Sequence, residues 1–109
     1  GIFDVILMPD QLYLQIHESI GHPLELDRIL GDERNYAGWS FVKPEDFGSL
    51  QYGSSLLNVS FDPGVQSELA SYGFDDLGTP AERRYLIQNG LLLAGLGGLE
   101  SQKRLNVPG

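Results

Sequence analysis

The chain has 109 residues and a mass of 12.0 kDa, enough for one small hydrophobic core. Hydrophobic residues make up 41% and charged residues 20%, which excludes a disordered tail. Seven Lys and Arg against fifteen Asp and Glu give a net charge of −8, which argues against nucleic acid as a partner, and the absence of cysteine excludes disulfides and thiolate metal ligands within the chain.

Residues 3–8 are a short apolar run that stops at Pro9 and predicts a buried strand. Asp10 follows as the expected N-cap of a helix from Gln11, in which Leu12, Ile16 and Ile20 repeat every four residues as one apolar stripe. Gly21 and Pro23 interrupt that helix, and residues 24–30 predict a further turn or two stopped by Gly31. Residues 32–54 are irregular and carry Tyr36, Trp39, Phe41, Phe47 and Tyr52. They predict a long loop whose aromatics anchor it to the core, with an aromatic binding box as the alternative.

Residues 56–61 alternate and predict a strand ended by Asp62-Pro63-Gly64. Residues 67–75 predict another, leading to a turn at Asp76-Leu77-Gly78, with Asp75-Asp76 as turn residues. Residues 82–88 and 91–96 flank Asn89-Gly90, a pair that tolerates φ > 0 and predicts a type I′ hairpin. The stretch from Gly95 to the C-terminus reads as loop. The expected class is α+β: an N-terminal strand and a motif-bearing helix packed on a mainly antiparallel sheet. No apolar run approaches the ~18–20 residues that span a bilayer, and no basic segment precedes an apolar one. The expected location is cytoplasmic, with no membrane partner. The apolar start and loop-like end suggest a segment of a larger domain.

Both histidines lie in His17-Glu18-Ser19-Ile20-Gly21-His22. In the HExxH zinc motif the two histidines are four apart, about 40° around a helix. Here they are five apart, about 140° on a regular α-helix, so they share an ion only if the helix changes pitch or ends between them. Gly21 and Pro23 are placed to permit that, and a π-type bulge is the other route. Two neutral imidazoles suit Zn²⁺, and Glu18 beside them suits a general base that moves a proton from water to a leaving amine. Glu25 and Asp27 are candidates to orient a ligating histidine. The alternatives are two surface histidines on a polar helix and a solvated acidic face. A nucleotide loop at Gly95-Leu96-Gly97-Gly98 and a Ser–His hydrolase are both disfavoured.

The run from His17 to Asp27, H-E-x-x-G-H-x-x-E-x-D, resembles the metal-binding segment of the TldD/PmbA metallopeptidases, also labelled modulators of DNA gyrase. The resemblance continues through Phe47-Gly48-Ser49, Leu57-Asn58-Val59, residues 72–79 and the hairpin. The intact histidines resemble the TldD type. The resemblance implies a zinc peptidase acting on unfolded peptides held in extended form, with His17 and His22 as ligands and Glu18 as base. It implies assembly with a PmbA-like partner, and strand edges and apolar surface left uncovered by truncation are expected to favour self-association. It makes residues 1–109 a single truncated segment of a C-terminal catalytic domain, because the third ligand expected in the family is a distant cysteine that this chain lacks. Such a segment is expected to be incomplete and inactive alone. The alternative is a non-catalytic peptide- or partner-binding module using an exposed sheet edge.

Overall fold

A computed structural model describes residues 1–109 and has the α+β class expected. In chain order it comprises helix α1 (Pro9–Ile16), a π-helical turn (His17–Gly21), a 3-10 turn (His22–Leu24), helix α2 (Leu26–Leu30) and a second 3-10 turn (Pro44–Asp46). Strands β1 (Val59–Phe61), β2 (Arg84–Gln88) and β3 (Leu91–Leu92) and helix α3 (Leu99–Leu105) follow. The three strands form one antiparallel sheet in the order β1-β2-β3. No helix is long and apolar enough to cross a membrane.

The β2–β3 hairpin organises the sheet. Asn89 (φ 50°) and Gly90 (φ 79°) both adopt the left-handed angles that a two-residue turn requires. Ile87 then faces Leu92, and Gln88 faces Leu91. Gly90 is constrained a second way: a Cβ there would lie 2.2 Å from Gln51 Nε2 and 2.4 Å from the Gly53 carbonyl oxygen. Its N–H donates to the Leu57 carbonyl (2.8 Å), and its own carbonyl accepts the Tyr52 N–H (2.7 Å). Residues 52–57 are thereby folded over the turn. β1 joins β2 through Val59–Ile87 and Phe61–Arg84, with a register irregularity after Val59.

Leu24, Ile87 and Leu92 are fully buried and pack with Ile20, Val42, Leu86 and Ala94. The backbone beside Leu24 is tied to the chain beyond the hairpin. Leu96 N–H donates to the Leu24 carbonyl (2.7 Å), and Leu26 N–H donates to the Leu96 carbonyl (2.8 Å). α3 closes over α2: Arg104 donates two hydrogen bonds to Asp32 (2.7 and 3.1 Å), and Ser101 Oγ donates to Asp27 Oδ1 (2.6 Å).

Several expected elements are corrected. Residues 3–8 are not a strand; their backbone joins no ladder and Ile2, Phe3 and Ile6 are exposed. An apolar run becomes a strand only when another backbone pairs with it. α1 begins at Pro9, whose missing N–H is no loss in a first turn. Met8 is therefore the N-cap, and Asp10 sits inside the first turn, accepting the Gln11 N–H (3.0 Å). The apolar stripe reaches the core only at Ile20, and α1 buries no side chain. Residues 67–75 make turns, not a strand: Ser67 is left-handed (φ 69°), and Tyr72 N–H donates back to the Pro63 carbonyl (3.0 Å). The tail holds α3, not loop, with Glu100 in its first turn and Lys103 and Arg104 in its last, the order that suits the helix dipole. Of the loop aromatics, Phe47 and Tyr52 pack on the core, while Tyr36, Trp39 and Phe41 are exposed, Trp39 beneath the Arg34 guanidinium (4.5 Å).

Gly90→Ala is expected to destabilise the chain by at least ~1–2 kcal/mol from the left-handed backbone alone, with the steric conflict at Gln51 and Gly53 added. An unchanged denaturation midpoint would contradict this account of the turn. Asp75 supplies a pH-dependent element. It accepts the Thr79 N–H (2.7 Å) and the Leu77 N–H (2.9 Å). The Thr79 bond foremost, with others from the turn, holds its carboxyl below the ordinary aspartate value against an opposing effect of desolvation. A depressed folded pKa means that the Asp75 contribution is present above the unfolded value, about 3.9, and is lost as pH falls through the folded value. Carboxyl NMR titration is expected to place Asp75 below the ordinary aspartate value, and the melting difference between wild type and Asp75→Ala should shrink on acidification. A difference that grows toward low pH would reverse the assignment.

Candidate metal centre

The π-helical turn decides where the two histidines point. Their i, i+5 spacing matches its hydrogen-bond ring: the His22 N–H donates to the His17 carbonyl. The two residues are therefore stacked one turn apart, as i and i+4 residues are in an α-helix. Their rings lie edge to face with centroids 4.3 Å apart and planes at 80°. His17, Glu18 and His22 each bring a donor atom to within 4.8 Å of the other two. His17 and Glu18 are exposed, and His22 is half-buried.

The change of pitch is not made as the glycine suggests. Gly21 has φ −54° and ψ −68°, angles open to any residue, and a Cβ there would meet nothing closer than the Ile16 carbonyl oxygen at 3.9 Å. Pro23 is the stronger constraint, since it has no N–H with which to continue the α-helical ladder.

Glu25 and Asp27 part company. His22 Nδ1 lies 2.9 Å from Glu25 Oε1, and Glu25 Oε2 accepts from Arg28 Nε. Arg28 also donates to the Ala37 carbonyl. Glu25 Oε1 is an acceptor only, whereas Arg28 Nη2, 3.2 Å from the same ring nitrogen, is a donor only; the shorter contact, to Glu25, favours the proton on Nδ1, which leaves the Nε2 lone pair of His22 available. Partial desolvation acts to raise the Glu25 pKa, but hydrogen bonds from Arg28 and His22, with their charges, outweigh it and hold the carboxyl below its usual range. Glu25 thus orients His22 as an outer carboxylate does in many histidine metal sites. Asp27 does not. Its carboxylate accepts from Ser101, so it fastens α2 to α3.

Two imidazole nitrogens suit a borderline ion such as Zn²⁺, and the Glu18 carboxylate, within 4.8 Å of both, lies close enough to act on a water bound to such an ion. Cysteine is absent, and neither Glu25 nor Asp27 joins the cluster. Arg28 and Tyr52 were not singled out by the motif. Arg28 had a signal in its i, i+3 spacing from Glu25. The Tyr52 hydroxyl, which donates to the Ser19 carbonyl (2.7 Å), is 33 residues away in sequence and had none of that local kind.

A helical His-Glu-His cluster beside an antiparallel sheet defines a candidate metal-dependent protein of α+β class. The chain belongs to the PmbA/TldD family: the PmbA/TldA metallopeptidase C-terminal domain matches residues 1–109. It is 29% identical over 106 residues to a metalloprotease of Methanocaldococcus jannaschii, covering 97% of this chain and 22% of the relative. It is 32% identical over 92 residues to the metalloprotease TldD homolog of Buchnera aphidicola, covering 84% and 17%. The chain thus spans about a fifth of the length of such relatives. A solved structure from Thermotoga maritima, of a protein described as a candidate modulator of DNA gyrase, has the same fold over 87% of this chain and 21% of its own, with a TM-score of 0.64 and 22% identity.

Gly21→Ala is expected to leave the fold and the ring stacking intact and to change stability by less than ~1 kcal/mol. Loss of the His17–His22 ring contact in that variant would show that glycine itself is needed for the turn.

Proposed function

We propose that this chain is the metal-binding segment of a zinc-dependent peptidase, with His17 and His22 as ligands and Glu18 as general base. The observation that carries the reading is the convergence of their three donor groups on one π-helical turn. A bound Zn²⁺ supplies Lewis acidity, which makes water a usable nucleophile near neutral pH and polarises a peptide carbonyl. His22 presents Nε2 because Glu25 holds Nδ1. Glu18, adjacent to the first histidine and exposed, accepts the proton from the attacking water and returns it to the leaving amine. Metalloprotease is the name carried by several relatives, and it supports this class of reaction.

Catalytic zinc sites use three protein ligands and keep one position open. This chain supplies two imidazoles, so the third ligand, a cysteine by family resemblance, comes from outside these 109 residues. The isolated chain is accordingly proposed to be inactive and to hold zinc weakly. Its proposed substrates are unfolded peptides bound in extended form in the cytoplasm, with a PmbA-like partner or a second copy completing the assembly. The gyrase description of the Thermotoga protein is not carried over, because a chain of charge −8 offers no footprint for a phosphate backbone.

A second reading, a partner-binding module without catalysis, draws support from β1. Val59–Phe61 pairs on one side only, with β2, and Phe61 is 40% exposed. An extended peptide adds to such an edge. The two readings separate on Glu18. In the full-length protein, Glu18→Gln is expected to retain zinc and to lower peptide hydrolysis by about 10²–10⁴-fold, the range for removal of a general base. Near-wild-type hydrolysis by the zinc-loaded variant would remove Glu18 as the base.

A further inference from the structure

Ser19 lies midway between the two histidines, and its carbonyl has lost its ordinary partner. In an α-helix that carbonyl accepts the N–H four residues on, which here is Pro23, and proline has none. The Tyr52 hydroxyl donates to it at 2.7 Å. Tyr52 is itself well held. Its N–H donates to the Gly90 carbonyl at the tip of the hairpin, and its ring packs on the core and against Phe41 (centroids 5.7 Å, planes at 41°). Burial pushes the Tyr52 pKa up, so the hydroxyl keeps its proton. Tyr52 thus links the hairpin turn, through its backbone N–H, to the middle of the π-helical turn, through its hydroxyl.

We propose that Tyr52 is a positioning residue of the metal centre: by donating its hydroxyl to the Ser19 carbonyl it holds the wide turn that stacks the His17 and His22 rings. Tyr52 is not one of the three clustered donors and takes no part in proton transfer. Without the bond, the Ser19 carbonyl must turn toward water, and residues 17–22 are released from the geometry that offsets the 140° separation of i, i+5 positions on a regular helix. The ring contact is a property of the metal-free chain; its consequence for metal binding rests on the reading above.

Tyr52→Phe removes the donor and keeps the ring. In the metal-free 109-residue chain, the NOE between the His17 and His22 rings is expected to fall severalfold, while NOEs across the Ile87–Leu92 pair persist. Co²⁺ affinity, read from the visible absorption of the bound ion, is expected to fall by about 10-fold, the low end for loss of an outer supporting contact. A variant carrying 4-aminophenylalanine at position 52 restores a donor on the same ring and should recover both signals. A wild-type measurement holds even if Tyr52→Phe does not fold: the Tyr52 hydroxyl proton should exchange with solvent far more slowly than that of exposed Tyr36. An unchanged ring NOE in Tyr52→Phe, or a Tyr52 hydroxyl that exchanges as fast as Tyr36, overturns the proposal. If the ring contact depends on Tyr52 but the wild-type chain takes up no Co²⁺, the positioning role stands and the metal reading falls. If Co²⁺ binds equally to both chains and the rings stay in contact, the reverse holds.

Discussion

One hydrogen bond sets the geometry on which the site depends: the His22 N–H to the His17 carbonyl, spanning five residues where an α-helix spans four. It converts a spacing that would separate the two imidazoles into one that stacks them. Pro23 ends the α-helical ladder just beyond this bond, because it has no N–H to give to the Ser19 carbonyl. The chain passes from α-helix to π-turn to 3-10 turn within residues 9–24, loosening and then tightening about the same axis. Such departures from regular pitch concentrate at functional positions, since they aim side chains that regular geometry would scatter.

The turn is held by the core on one side and by polar contacts on the other. Ile20 and Leu24 enter the same cluster as Ile87 and Leu92, so the hairpin packs directly beneath the motif. Leu24 and Leu26 are bonded to Leu96 on the strand-like segment beyond β3, and Glu25, between them, is extended (ψ 118°). That extended residue is what lets the Glu25 carboxylate reach back to His22 while also meeting Arg28. Arg28 is suited to this place because a guanidinium offers several fixed donors at once, to Glu25 and to the Ala37 carbonyl; a lysine would not span them. Hairpin, bridge and ion pair therefore act on one short stretch of chain.

The features legible in the sequence are those with a local cause. Asn89-Gly90 announces its hairpin because two consecutive left-handed residues have few other uses. Gly31 ends α2 in the left-handed conformation (φ 85°), and the change of pitch near Gly21 and Pro23 is implied by a histidine spacing that regular helix cannot serve. What was not legible depends on distant chain. Residues 3–8 have strand composition but no partner backbone, and residues 67–75 close on themselves through Pro63. α3 shows the opposite error: its charges were ordered for a helix, yet the neighbouring glycines suggested loop. At the site, the motif drew attention to His17, Glu18, His22 and Glu25, all within nine positions; Asp27, the other candidate to orient a histidine, binds instead to Ser101, 74 residues away. Gly21 shows that the right outcome can have a different cause, because its conformation is one that alanine shares.

The two histidines stand on ground of unequal firmness. His22 adjoins Leu24 in the core, whereas His17 follows a helix of eight residues that buries none of its side chains. A helix that short has little stability of its own in water. Local opening is therefore easier at His17 than at His22, with only four residues between them. One jaw of the clasp is set in the sheet, and the other opens with α1. Any occupant that needs both sees an affinity scaled by the fraction of time α1 is formed. Whatever packs on the exposed face of α1, where Leu12, Tyr13 and Ile16 lie, tightens the site without touching it, and occupation of the site strengthens that packing in return.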